Sequence, residues 1–91
     1  MLKPIINIHK DKDGKVTQCT TQNDVGGKLA GLLDNSKYKG EDPGVVESYI
    51  RMQLKGLAAS VSSTSIPNGY GIKLEVDLLP SGDDVGDKGK N

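Results

Sequence analysis

The chain has no tryptophan and no phenylalanine, and its only aromatic side chains are three tyrosines. Large aromatics ordinarily supply much of a small core, so this core must be assembled from Ile, Leu and Val. There is a single cysteine, Cys19. That excludes an internal disulfide framework and most Cys-based metal sites, and it fits a reducing compartment. The single histidine, His9, has no Cys or His companion at ligand spacing, so neither a metal centre nor a hydrolytic triad is legible around it. Net charge is also missing: twelve basic residues cancel twelve acidic ones. A nucleic-acid binder usually carries a basic excess. Here the charges are interspersed, although Lys10, Lys12, Lys15 and Lys28 could still form a local patch. No run approaches the roughly 18 apolar residues that a membrane span needs. The opening MLKPIINIHKDKDG has one Lys before a very short apolar run and no small-residue cleavage site, unlike a signal peptide. The expectation is a cytoplasmic protein with no cofactor and no membrane partner.

What is present is one long periodic segment, residues 42–62. Val46, Ile50, Leu54, Leu57 and Val61 recur at steps of four, four, three and four, which keeps them on one face of a 3.6-residue helix. Val45, Tyr49 and Ala58 widen that stripe. Glu47, Arg51 and Lys55 line the opposite side, with Glu47 in the better order ahead of Arg51 for a surface pair. Asp42 followed by Pro43 is a start signal: the carboxylate can accept an orphan amide, and Pro fits the first helical position. The hydroxyl-rich residues 60–65 should fray the end.

The remaining elements read more simply. Residues 4–10 carry Ile5, Ile6 and Ile8 and form a strand, with Pro4 tolerated at its start. Asp13-Gly14 is a hairpin signal, and residues 15–22, rich in Val and Thr, return. Pattern does not settle which face of that return strand is inside. Residues 23–35 place Val25, Leu29, Leu32 and Leu33 at helical steps, weakened by Gly26, Gly27 and Gly31, and predict a short helix. Residues 36–41 are a polar connection with Tyr38 as a lid on the core. Residues 62–69 are a loop with an Asn68-Gly69 turn. Residues 70–79 alternate cleanly: Ile72, Leu74, Val76 and Leu78 on one face, Lys73, Glu75 and Asp77 on the other. The reading is a single α+β domain over residues 1–79 in ββααβ order. A three-stranded, mainly antiparallel sheet packs on helices, with its last strand beside its first. Residues 80–91 are polar and predict a disordered tail. A domain of this size buries only about 60–65% of its unfolded surface, which favours assembly with a partner.

Motifs do not lift the function above this level. Asp11-Lys12-Asp13-Gly14 has the look of a calcium loop but lacks the glycine and glutamate at the required offsets; a hairpin turn explains it. Gly26-Gly27-Lys28 resembles part of a phosphate loop but lacks the first glycine and the following hydroxyl residue. The leading expectation is a non-catalytic protein-interaction module, of the size and composition of small accessory or inhibitor proteins of bacteria and phages. It would act as a homo-oligomer or against a larger protein, through a sheet edge by strand addition or through Met52 and Tyr38. The alternative is a small-ligand or nucleotide binder whose pocket would draw on Gly27, Lys28, Ser65, Asn68 and Tyr70. Nucleic-acid binding ranks third.

Overall fold

The structure, a computed structural model, describes residues 3–66 and 69–78. Strands β1 (Ile5–Lys10) and β2 (Val16–Gln22) form the expected hairpin. The Asp11 carboxylate closes its turn by accepting the N–H groups of Asp13 at 2.9 Å and Lys15 at 3.0 Å, and Gly14 takes the positive φ of 79° that the reversal needs. The register pairs Ile8 with Cys19 and His9 with Gln18, then slips so that Lys10 faces Val16. Thr17 is the extra residue of a β-bulge. This is why Val16 and Cys19, three positions apart, are both buried. A strand of unbroken period two places residues three apart on opposite faces.

The segment after β2 is not the single short helix that its leucine spacing predicts. It holds two 3-10 turns, Val25–Gly27 and Ala30–Leu32, followed by helix α1 (Asn35–Tyr38), which lies where a polar connection is expected. Gly26 and Gly27 both have positive φ, 78° and 69°, so the helical path breaks there. The Asp24 carboxylate takes the N–H groups of Leu29 and Ala30 at 2.8 and 2.9 Å, and Leu29 is fully buried. The apolar spacing therefore marks core contact without continuous helix.

Helix α2 (Pro43–Lys55) starts as expected, with the Asp42 carboxylate accepting the Gly44 N–H at 3.0 Å. Val46, Ile50 and Leu54 are buried on it. It ends one and a half turns earlier than its apolar stripe suggests. Gly56 caps it, and Ala58 turns the chain with φ +52°. Residues beyond become strand β3 (Ala59–Ser65), followed by β4 (Gly71–Leu78). Val61 thus continues the stripe in sequence but sits on a strand, and Leu57 is 37% exposed at the turn.

The sheet has four strands, not three, in the order β2-β1-β4-β3, with every neighbouring pair antiparallel. The last strand lies beside the first, as expected, and the added β3 covers its far side. Ile6, Ile8, Leu74 and Val76 are fully buried beneath α2 together with Val46, Ile50 and Leu54. The other face of the sheet is polar. His9 belongs to it, on the central strand β1: the ring is half-buried and shares a 2.8 Å hydrogen bond with the Thr20 hydroxyl. Asn68 and the segment 79–91, expected to be a turn residue and a tail, lie outside the described residues.

Candidate functional site

Four sequence-predicted ligand residues fall into two groups that the fold holds apart. Gly27 and Lys28 follow β2, and Lys28 lines a cleft of about 540 Å³ together with Lys3, Pro4 and Asn23 and with Val76, Asp77 and Leu78 at the end of β4; Gly27 does not line it. Ser65 pairs with Ile72, and Tyr70 precedes β4 at its opposite end. The eight residues of β4 span roughly 23 Å at strand rise, so these groups do not line one pocket. The proposed lysine patch divides in the same way. Lys10 lies beside Tyr70, whose carbonyl accepts its N–H at 3.1 Å, while Lys28 is at the other end of β1. Sequence spacing does not reveal this, because an antiparallel sheet brings together residues by register and not by proximity in the chain.

The two interaction residues also differ. Met52 is 69% exposed on the outer side of α2. Tyr38 is 3% exposed and belongs to the core. Its ring meets Tyr49 edge-on at 5.9 Å between centroids, and it lines a small cavity of about 150 Å³ with Lys37, Val45 and Tyr49. The Tyr38 hydroxyl is buried without a hydrogen-bond partner among the described residues, and burial pushes its pKa up. Lys37 donates to the Tyr49 hydroxyl at 2.8 Å and lies 4.5 Å from that ring's centroid. The pair raises the Lys37 pKa and lowers that of Tyr49. Burial likewise raises the Cys19 thiol to about 11, which leaves it protonated at neutral pH.

The clearest asymmetry is between the two edges of the sheet. In an antiparallel sheet, alternate residues direct their N–H and C=O to opposite neighbours. The Val76 N–H donates to the Pro4 carbonyl and the Lys10 N–H to the Tyr70 carbonyl. This fixes the parity of the whole sheet. On β2 the groups of Cys19 and Thr21 point outward, and on β3 those of Ala59, Val61, Ser63 and Ser65 do.

The β2 edge is covered at Cys19 and Val16. The Asn35 side chain accepts the Cys19 N–H at 2.6 Å and donates to the Cys19 carbonyl at 3.2 Å, in the manner of a strand partner. Further along, the Val16 N–H donates to the Glu41 carbonyl at 2.9 Å, and the Val16 carbonyl accepts the Gly40 N–H at 2.8 Å. Such covering is how sheets avoid unwanted pairing.

The β3 edge is different. Its sequence, ASVSSTS, contains no charge and no proline, and its pairing with β4 is regular throughout. Its outward N–H groups have no partner among the described residues. One outward carbonyl is engaged: Arg51 Nη1 donates to Val61 O at 3.1 Å. Arg51 also donates to the Ser63 hydroxyl and, through Nε, to Glu47 Oε2 at 3.0 Å. Ser63 in turn donates to Glu47 Oε2 at 2.5 Å. The Glu47 carboxyl is held below its usual pKa, first by the Ser63 hydroxyl and then by Arg51. Glu47 and Arg51 read in the sequence as an ordinary surface pair; the fold turns them into the flank of an open edge. β3 carries little sequence signal of its own: ASVSSTS has one Val and one Thr, and its hydroxyl-rich run reads as a fraying helix end and a loop.

Among the described residues no three His, Cys, Asp or Glu side chains are grouped to hold a metal ion, and no helix is long and apolar enough to cross a membrane. No protein-family model, curated protein or solved structure matches the chain.

Proposed function

We propose that the chain is a non-catalytic protein-interaction module that works by strand addition at β3, as an accessory or inhibitor protein of the bacterial or phage kind. One observation carries the reading. Of two sheet edges, β2 is covered at Cys19 and Val16 by a side-chain amide and a backbone segment, whereas β3 offers unpaired outward N–H groups along the whole of a regular, uncharged strand. An edge of that kind is a template for another extended segment. Main-chain hydrogen bonds would supply the affinity. The small hydroxyl side chains let a partner approach closely, and the Glu47–Arg51 flank would bias partner charge.

The test is Ser63→Pro. Proline removes an outward N–H and leaves the ladder to β4 intact, so the domain should remain folded. The wild-type protein should assemble in solution with itself or with a partner purified from its native host. S63P should stay folded and lose that assembly. If S63P assembles as the wild type does, β3 is not the working edge.

A second reading is favoured by the cleft of about 540 Å³ beside Gly26 and Lys28, whose volume falls in the range of small-molecule sites. It would make the chain a small-ligand or nucleotide binder using one end of the sheet only. A ligand that binds the folded state must raise its melting temperature. Thermal shift against a nucleotide panel at millimolar concentration would expose it, and no stabilisation by any member would remove it.

A further inference from the structure

We infer that the occupant of the β3 edge is a second copy of this chain, paired antiparallel about a two-fold axis at Ser62. The dimer presupposes the strand-addition reading of β3 and specifies its partner and register.

The inference starts from parity. The outward-facing residues of β3 are Ala59, Val61, Ser63 and Ser65, symmetric about Ser62. Antiparallel pairing centred there brings Ala59 against the partner copy's Ser65 and Val61 against its Ser63. Each outward N–H and C=O then meets its complement along the whole strand, about eight hydrogen bonds in all. No other two-fold centre uses the full length of the edge. The register is also sterically light. Ser60 meets Thr64, and Ser62 meets itself, so no bulky or like-charged side chains face each other across the closer pairs. The Val61 carbonyl, already bonded to Arg51, has a second lone pair for the incoming N–H.

Charge supports the same partner. Arg51 contacts Val61 and Ser63, while Glu47 contacts Ser63. The helix end at Lys55 leads directly into Ala59. Rising along β3 therefore means descending along α2. The two-fold places the Glu47 end of one helix opposite the Lys55 end of the other. Glu47 then faces the partner copy's Lys55 at both ends of the row, while Arg51 at its centre faces its own symmetry mate with its charge balanced by its own Glu47 at 3.0 Å; two-fold surfaces are the usual basis of small homo-oligomers.

Single-cysteine crosslinking of the full chain reads the register directly. In the dimer, Ser62 and its symmetry mate form a non-hydrogen-bonded pair with Cα atoms about 4.5 Å apart, within disulfide range. Ser62 is exposed, and the native Cys19 is buried with its thiol protonated. Under mild oxidation S62C should crosslink to dimer several-fold faster than S60C or T64C alone. A mixture of S60C and T64C should give the mixed dimer. Crosslinking of S60C alone as fast as S62C would overturn the register. A strictly monomeric mass at hundreds of micromolar would overturn the dimer, and amide exchange then separates two failures. If the Val61 and Ser63 amides exchange as freely as unprotected peptide, the edge is open to a different protein, and only the second copy is lost. If they are protected in a monomer, the edge is covered within the chain and the strand-addition reading falls with it.

Discussion

Asn35→Ala isolates the device that covers the β2 edge at Cys19. In the native fold one amide group serves both backbone groups of Cys19, at 2.6 and 3.2 Å. Alanine removes both partners and puts nothing in their place. The N–H is the costlier loss, because its bond is the shorter and the site is half-buried. An unmade hydrogen bond at a buried donor costs about 1–3 kcal/mol, and a carbonyl reached by water costs less. Since water enters as α1 loosens, the low end applies to both, and the sum is roughly 2 kcal/mol. A domain of this length has on the order of 5–10 kcal/mol in total. With a urea slope of about 1 kcal/mol/M, the midpoint should fall by roughly 2 M, with the slope unchanged. Two further effects separate this account from a general loss of stability. The Cys19 amide should lose its exchange protection while Ile6 and Leu74 keep theirs. The variant should also self-associate through β2, since an uncovered edge is a pairing template. Asn35→Asp should fall between wild type and alanine, because it keeps an acceptor for the N–H and loses the donor for the C=O. If N35A unfolds within about 0.5 kcal/mol of wild type and Cys19 stays protected, the amide is ornamental and the edge is closed by other means.

Three other expectations follow from the packing and electrostatics. Leu54→Ala, at a fully buried position facing the sheet, should cost about 2–5 kcal/mol in chemical denaturation, and Leu54→Glu should leave the chain unfolded by circular dichroism because it buries an unpaired charge. Gly71→Ala would place a methyl group 2.2 Å from the Ile8 carbonyl oxygen; the strands must part to admit it, so thermal unfolding should show a loss of about 1–3 kcal/mol. Glu47→Gln tests the flank of β3. The depressed Glu47 pKa gives stability that is present above the unfolded value of about 4.5 and lost as pH falls through the lower folded value. The difference between E47Q and wild type should therefore be small but measurable at pH 7 and shrink as pH falls below about 4.5; a difference that does not change with pH would show that charge is not what Glu47 contributes.

Local signals were enough for much of the fold. The Asp13-Gly14 turn, the Asp42-Pro43 start and the alternation through Ile72, Leu74 and Val76 each act within a few residues, and each element formed where expected. The errors share one cause. Val61 lies in phase with Val46, Ile50 and Leu54, so periodicity alone extends the helix through it. The reversal at Ala58, with positive φ, is a cost that only pairing with β4 repays. The leucines of residues 29–33 misled in the same way, since core contact and helical spacing coincide. For the candidate site the gap is wider. Asn35 capping Cys19, and Arg51 reaching Val61, join residues sixteen and ten positions apart, with no motif to announce them.

Composition determined that this core would be built from branched aliphatics without Phe or Trp, that no disulfide framework could brace it, and that its central helix would bury Val46, Ile50 and Leu54. Those properties depend on residue type and short spacing, which a single chain displays. Only the tertiary structure decided that residues 59–65 are a strand, that the sheet has four strands, and that one edge is covered at Cys19 and Val16 while the other is open. Backbone hydrogen bonding in a sheet is non-local: whether an N–H is paired depends on which segment lies 4.8 Å away, and that is a property of the folded chain alone.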